Sequence, residues 1–210
     1  MKVKKGDFVE IEYTARITGG NIFDTTNAEV AKKNGFYNEQ AKNAYGSVIV
    51  KQGLKNVVKG LDESLLDKEV GKEYEVSLSP EDGFGKKDAK LIKTFSLASF
   101  KDQKIPPQQG MPVNIDGIPG AILRVGGGRV MVDFNHYLAG KQLNYNFKIK
   151  RVVEDEKEKI LSVIKLSGLP VELKEEENKI LLTTKKEYME YVNNMLKIAE
   201  LKAEVKELWK

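Results

Sequence analysis

The chain has 210 residues, 35 basic against 31 acidic for a formal net charge of +4, one histidine and no cysteine. Its length suits one large domain or two to three small ones. The missing cysteines exclude disulfides, thiolate metal sites and thiol nucleophiles, and a lone His136 excludes histidine-cluster metal centres and most histidine-dependent catalysis.

Met1 to Asp7 turns polar at once, a pattern without a signal peptide, and no apolar run approaches the length of a membrane span. A cytoplasmic protein with no membrane partner is expected. Lys2 to Thr18 alternates apolar and polar residues through Val3, Phe8, Val9, Ile11, Tyr13, Ala15 and Ile17, which predicts strands ending in a hairpin turn at Gly19-Gly20-Asn21. Residues 27–45 are polar, with a turn signal at Asn34-Gly35, and read as a long loop containing a short helix. Asn56 to Leu66 carries a helical apolar pattern ended by Gly71, and Tyr74, Val76 and Leu78 alternate as the next strand. Between 86 and 140, apolar positions are broken by turn signals at Pro106-Pro107, Asp116-Gly117 and Gly126-Gly127-Gly128, which predicts short strands joined by hairpins. The glycine triplet lacks a following helix and a Lys-Ser/Thr pair, so it reads as a hairpin turn and not a phosphate loop. Leu143, Tyr145, Phe147, Ile149 and Val152 mark one more strand within 141–153.

The remainder predicts a helix over Glu156 to Ser167 and a hairpin over Val171 to Thr183 turning near Glu177-Asn178. A long helix is expected after a Thr184/Glu187 capping box, striped by Tyr188, Tyr191, Val192, Met195, Ile198, Ala199, Val205, Leu208 and Trp209. About sixty residues bury such a stripe poorly alone, so docking on the rest of the chain or homodimerisation through 154–210 is expected. Charges of both signs are mixed along the chain, which argues against a nucleic-acid partner. The Lys/Glu-rich, cysteine-free composition suits a thermophile with surface ion-pair networks, and the Glu-Lys runs at 154–159 and 174–179 read as solvated faces.

Tyr13-Thr14-Ala15-Arg16, Gly19-Gly20-Asn21-Ile22-Phe23-Asp24-Thr25, Val57-Val58-Lys59-Gly60-Leu61, Gly71-Lys72 and Ser79-Pro80-Glu81-Asp82-Gly83-Phe84-Gly85 occur in that order. Together they resemble the FKBP family of peptidyl-prolyl cis/trans isomerases, and more closely its long, SlyD-like prokaryotic and archaeal branch. Asn135-His136-Tyr137-Leu138-Ala139-Gly140 resembles the Asn-His-x-Leu-Ala-Gly phrase of that branch. The resemblance covers Lys2 to Val153. It implies an α+β fold: an antiparallel sheet wrapped on a short helix (1–85 and 141–153), an inserted small all-β insert-in-flap domain (86–140) and a C-terminal α/β-hairpin/α module (154–210).

The resemblance also implies the site. Tyr13 stands at the pocket tyrosine, Phe23 and Asp24 at the Phe-Asp wall and anchor, and Val57 and Val58 at the aliphatic pair whose second N–H would meet the substrate carbonyl. Leu61 stands where short eukaryotic members have the floor tryptophan, Phe84 at the tyrosine of the Tyr-Gly turn, and Tyr145 at the late-strand phenylalanine; Val48 is a further lining candidate. The Leu61 and Phe84 departures weaken the case for tight macrolide binding more than that for isomerisation. Singly, Phe23, Val57 and Tyr145 read more readily as core residues, and Asp24 reads as a turn cap; their joint order carries the assignment. His136 reads as a hydrogen-bonded turn residue.

In this branch the insert binds unfolded, proline-containing chains, which here implies an apolar groove from Phe95, Leu97, Phe100, Ile105, Met111, Pro112, Ile115, Ile118 and Leu138; the same residues would serve equally as the insert's own core. The histidine- and cysteine-rich metal tail of some members has no counterpart, so no metal and no cofactor is expected. The competing readings are a non-catalytic holdase with a vestigial pocket and an adaptor acting through the C-terminal helix.

Overall fold

The computed structural model describes residues 1–100, 106–176 and 179–207. β1 (Phe8–Ile17) and β2 (Ile22–Thr25) form the first hairpin, closed where Gly20 N–H meets the Ile17 carbonyl at 2.8 Å. Val3 does not extend β1; it lies fully buried in the main core beside an isolated Lys2–Glu69 bridge. α1 (Ala28–Lys33) starts at Asn27, whose side chain accepts from the Glu29 and Val30 N–H groups. A 3-10 turn at Glu39–Ala44 follows, so the polar loop holds two short helical pieces. β3 (Val48–Lys51), α2 (Lys59–Ser64) and β4 (Glu73–Leu78) complete the first half.

β5 (Ile92–Ser96), β6 (Pro112–Ile115), β7 (Ile118–Gly126) and β8 (Arg129–Asp133) make a separate antiparallel sheet in the order β5-β8-β7-β6. Its two tight hairpins turn at Asp116-Gly117 (φ 54° and 80°) and Gly127-Gly128 (φ 57° and 72°). Both central residues need positive φ in such turns, which is why Asp-Gly and Gly-Gly serve there. β9 (Leu143–Val153) then returns to the main sheet and pairs with both β1 and β4, giving the order β2-β1-β9-β4 with β3 also on β1.

Alternation fixes the main core. Val9, Ile11, Tyr13, Ala15 and Ile17 of β1 face Leu143, Tyr145, Phe147 and Ile149 of β9 and the buried Leu61 and Leu65. The β1–β9 register shifts at Glu10/Ile11, with Glu10 opposite Arg151 and Ile11 opposite Ile149. This bulge flips the alternation of β9. Val152 stays with the main core, whereas Val153, with Phe8, packs on the opposite face against Val163 and Ala199.

Those two residues belong to the C-terminal module: α3 (Glu156–Ser167), β10 (Val171–Glu176), β11 (Lys179–Thr184), α4 (Lys186–Ile198) and β12 (Glu204–Glu207). It has its own core of Ile160, Ile164, Leu182, Val192 and Leu196. The expected capping box does not form. Thr184 Oγ1 donates to the Pro170 carbonyl at 3.0 Å and Lys185 occupies the cap position without a side-chain bond. α4 also stops earlier than its stripe suggests: Glu200 takes a φ of 57° and Val205 lies in β12, parallel to β11. The turn at Glu177-Asn178 and the stripe positions Leu208 and Trp209 lie outside the described residues. Lys51, nearly buried on β3, ties the module down by donating to the Ala199 carbonyl at 3.0 Å and to Glu200 Oε2 at 2.7 Å. Arg151 joins Glu10 of β1 (2.6 Å) to Glu158 of α3 (2.9 Å).

The two chain segments entering and leaving the second sheet are clasped. Gly140 N–H bonds the Gly85 carbonyl at 2.8 Å, Phe134 N–H the Leu91 carbonyl at 2.9 Å, and Asn135 exchanges bonds with the Asp88 backbone. Buried Asp133 accepts from Lys87 Nζ at 2.7 Å and from the Asn135 N–H and amide. Burial opposes the Asp133 charge, but Lys87 and Asn135 outweigh it and hold the carboxyl below its ordinary value of 3.8. A depressed carboxyl stabilises the fold above the unfolded value and loses that contribution as pH falls through the native one. Acidification below 3.8 is therefore expected to loosen this clasp, read as faster amide exchange at Asn135 and Gly140 than in β1; uniform protection at low pH would refute it.

Candidate active site

Five segments converge over Leu61. β1 presents Tyr13, β2 presents Phe23 and Asp24, the entry to α2 presents Val57 and Val58, the Ser79–Gly85 turn presents Phe84, and β9 presents Tyr145. Leu61 is fully buried and Tyr145 is 3% exposed, while Tyr13, Phe23, Val48, Val57, Val58 and Phe84 are half-buried against them. The Phe23 ring stands edge-on to both Phe84 and Tyr145 (centroids 6.2 Å in each case), and Tyr13 lies 5.9 Å from Tyr145. Edge-to-face packing sets positive ring edges against negative faces and keeps the rings mutually oriented.

Tyr13 donates its hydroxyl to Asp24 Oδ2 at 2.8 Å. Burial, and then the neighbouring Asp24 carboxylate, push the Tyr13 hydroxyl far above its ordinary value; burial followed by Asp24 does the same to Tyr145. Both stay protonated, so these two tyrosines offer the pocket hydrogen-bond donors and apolar rings and not phenolate bases.

Local chemistry places these groups. Asp62, a buried residue of α2, accepts the Gly53 N–H with both carboxylate oxygens (3.0 and 3.1 Å) and the Lys55 N–H at 3.4 Å. Burial nevertheless raises its carboxyl above the ordinary value. This anchors the 53–56 turn, with Lys55 at φ 56°, from which Val57 and Val58 emerge. Val58 sits at the cap position of α2, and its N–H makes no hydrogen bond among the described residues. Ser79 bonds both the N–H and the carboxylate of Asp82, which pairs with Lys59 at 2.9 Å, and these contacts shape the turn that carries Phe84.

His136 is the residue that sequence reasoning undervalued. Its Nδ1 does accept the Leu138 N–H at 3.3 Å, but its ring also stacks on Phe84 at 4.6 Å and 7°, extending the aromatic wall. No spacing signal joins positions 84 and 136; the clasp does. In the second sheet, Phe100 is buried with Ile122, Val130 and Val132, and Phe95, Leu97, Met111 and Ile115 are half-buried against them. Pro112 is exposed and Ile118 is 52% exposed. Leu138 departs from its expected place: it is buried in the main core with Leu61 and Leu143, so it cannot line a groove on the insert. Ile105 lies outside the described residues. Among the described residues no cluster of His, Asp and Glu could hold a metal ion, and no helix is long and apolar enough to cross a membrane.

Residues 1–108 match the family model described as FKBP-type peptidyl-prolyl cis-trans isomerase, and residues 95–138 match that of the FKBP26 IF domain. A short-type peptidyl-prolyl cis-trans isomerase of Methanocaldococcus jannaschii is 36% identical over 156 residues, covering 74% of this chain and 98% of the relative. The FKBP-type isomerase SlyD of Haemophilus influenzae is 28% identical over 152 residues, 71% of this chain and 72% of that protein. Among solved structures, the three FKBP domains of wheat FKBP73 give a TM-score of 0.38 at 14% identity, over 74% of this chain and 42% of that one.

Proposed function

This chain belongs to the FKBP-type peptidyl-prolyl cis-trans isomerase family, and from that membership we propose that it twists X-Pro bonds over Leu61 while its inserted sheet holds the unfolded client. Amide resonance sets a barrier of roughly 18–20 kcal/mol to this rotation. The planar amide has more charge separation than the twisted one, so a dry wall of Tyr13, Phe23, Phe84 and Tyr145 solvates the ground state less well than water does. Val57 closes the rim and the free Val58 N–H takes the substrate carbonyl. Asp24, fixed by Tyr13, anchors the approaching chain. Every 1.4 kcal/mol removed from the barrier is worth about tenfold in rate. The observation that carries this reading is the edge-on Phe23 ring locked between Phe84 and Tyr145 above a fully buried Leu61.

In this reading the chain works as three units: 1–85 with 141–153 as the isomerase, 86–140 as the client-binding insert and 154–210 as an association module. Half-buried Phe95, Leu97, Met111 and Ile115 beside exposed Pro112 and Ile118 would form the client groove of a cytoplasmic folding enzyme. Tyr191 and Ile198, 60% and 63% exposed on α4, offer a face for a second copy, which sedimentation equilibrium would detect as a dimer.

Exchange NMR of a short X-Pro peptide with catalytic amounts of the protein tests the isomerase reading. Cis/trans exchange faster than in buffer is expected. A folded protein that left the exchange rate unchanged would leave the holdase reading in its place.

A further inference from the structure

A cleft of about 560 Å³ lies beside the isomerase pocket, walled by Tyr13, Val48 and Val57 on one side and by Leu161, Lys165 and Leu166 of α3 on the other. Tyr13 and Val57 belong to both spaces, so a chain leaving the pocket on this side runs directly under α3. The helix is ordered here by its Asp155 cap and by the Arg151–Glu158 pair. It buries Ile160, Val163 and Ile164 but keeps Leu161 and Leu166 43% and 42% exposed toward solvent.

The charges are graded along the cleft. Glu10 and Glu158 converge on Arg151 at one end. Lys165 stands two turns further along α3, about 10 Å away, and has no carboxylate within salt-bridge distance among the described residues.

We propose that this cleft is a substrate subsite, in which α3 of the C-terminal module grips the stretch of client chain flanking the proline and selects a carboxylate for Lys165. The occupant is an extended polypeptide, because the cleft opens onto the pocket where the proline sits. An extended chain advances about 3.3–3.6 Å per residue, so about three residues of client span the stretch of α3 from Glu158 to Lys165, with apolar side chains against Leu161 and Leu166. The module thereby sets sequence preference in the same chain that carries the catalytic pocket. This rests on the isomerase reading of the pocket, but it is testable by binding alone.

The test uses the full chain and Glu/Lys pairs of proline peptides, with the charged residue stepped position by position along the residues before and after the proline. Their Kd values are measured by NMR titration for the wild type and Lys165→Glu. The wild type is expected to prefer Glu over Lys by about twofold to fivefold at one of these positions, the scale of an exposed ion pair. That preference should invert in Lys165→Glu and fade in 1 M salt. A Glu/Lys ratio left unchanged by Lys165→Glu at every position would overturn the proposal. If a second copy fills the cleft instead, Lys165→Glu shifts the sedimentation equilibrium while the peptide ratio stays fixed, and the proposal falls. Exchange catalysis of a short X-Pro peptide by the wild type reports separately on the isomerase reading.

Discussion

Gly60→Ala is expected to lower the urea midpoint by an amount equivalent to roughly 1–3 kcal/mol, the usual cost of overpacking a filled core, and to depress isomerisation with it. A Cβ at Gly60 would lie 2.5 Å from Leu78 Cδ2, 3.0 Å from Asp82 Cβ and 3.2 Å from the Asp82 carbonyl. Leu78 is 3% exposed in the main core and has little room to retreat. The Asp82 backbone belongs to the turn that carries Phe84, so relief in that direction displaces the pocket wall. Alanine's better helix propensity, worth about 1 kcal/mol, offsets only part of this in a six-residue helix. An unchanged midpoint and unchanged activity would mean that the 79–85 turn yields freely and that close packing of α2 on it does not position Phe84.

The largest effect on catalysis is expected from Phe23→Ala. The half-buried ring is edge-on to two others, and such pairs are each worth about 0.5–1.5 kcal/mol beyond area burial. Those pairs are present in the free enzyme and hold the wall in place; removing the ring opens the pocket to water, and losing about 1.4–2.8 kcal/mol of transition-state stabilisation lowers kcat/KM by about tenfold to a hundredfold. Asp24→Ala, which leaves the Tyr13 hydroxyl without its 2.8 Å acceptor, should reduce the rate less. Suppression of aggregation of an unfolded client should survive both substitutions, since the second sheet has its own core. If both activities fell together with the fold intact by circular dichroism, the division of labour between pocket and insert would be wrong.

Most strands of the main and inserted sheets were legible because they carry alternating runs bounded by turn residues; β3 was not, since Val48-Ile49-Val50 is an unbroken apolar run without alternation. Asp116-Gly117 and Gly126-Gly127-Gly128 even fixed the hairpins. The pocket aromatics were legible only through their order, because no single one of them differs chemically from a core residue. Three further features escaped. Leu138 lies within the 86–140 insert by sequence yet is buried with Leu61, because the chain approaching the Gly85–Gly140 clasp is already packing on the main sheet. His136 gained its place beside Phe84 in the same way. The C-terminal stripe ran across a helix and a strand because Val192 and Met195 of α4 and Val205 of β12 face one core from different backbone conformations, and three-to-four spacing cannot distinguish these.

β9 occupies the middle of the main sheet, with Ala15 and Val76 on either side of Tyr145. The isomerase sheet therefore cannot close until the chain has been synthesised past the entire insert. A long disordered excursion would slow that closure, although the equilibrium cost of lengthening a loop is modest, about 0.6 kcal/mol per doubling. The 2.8 Å Gly140–Gly85 bond brings the ends of the excursion together. Once the insert has folded, β9 emerges next to β4 as if the intervening segment were a tight turn. A compact insertion with adjoining ends thus acts as a kinetic shortcut for a folding catalyst's own chain. Scrambling the core positions Ile122, Val130 and Val132 is expected to slow formation of the β4–β9 pairing far more than it weakens the finished sheet.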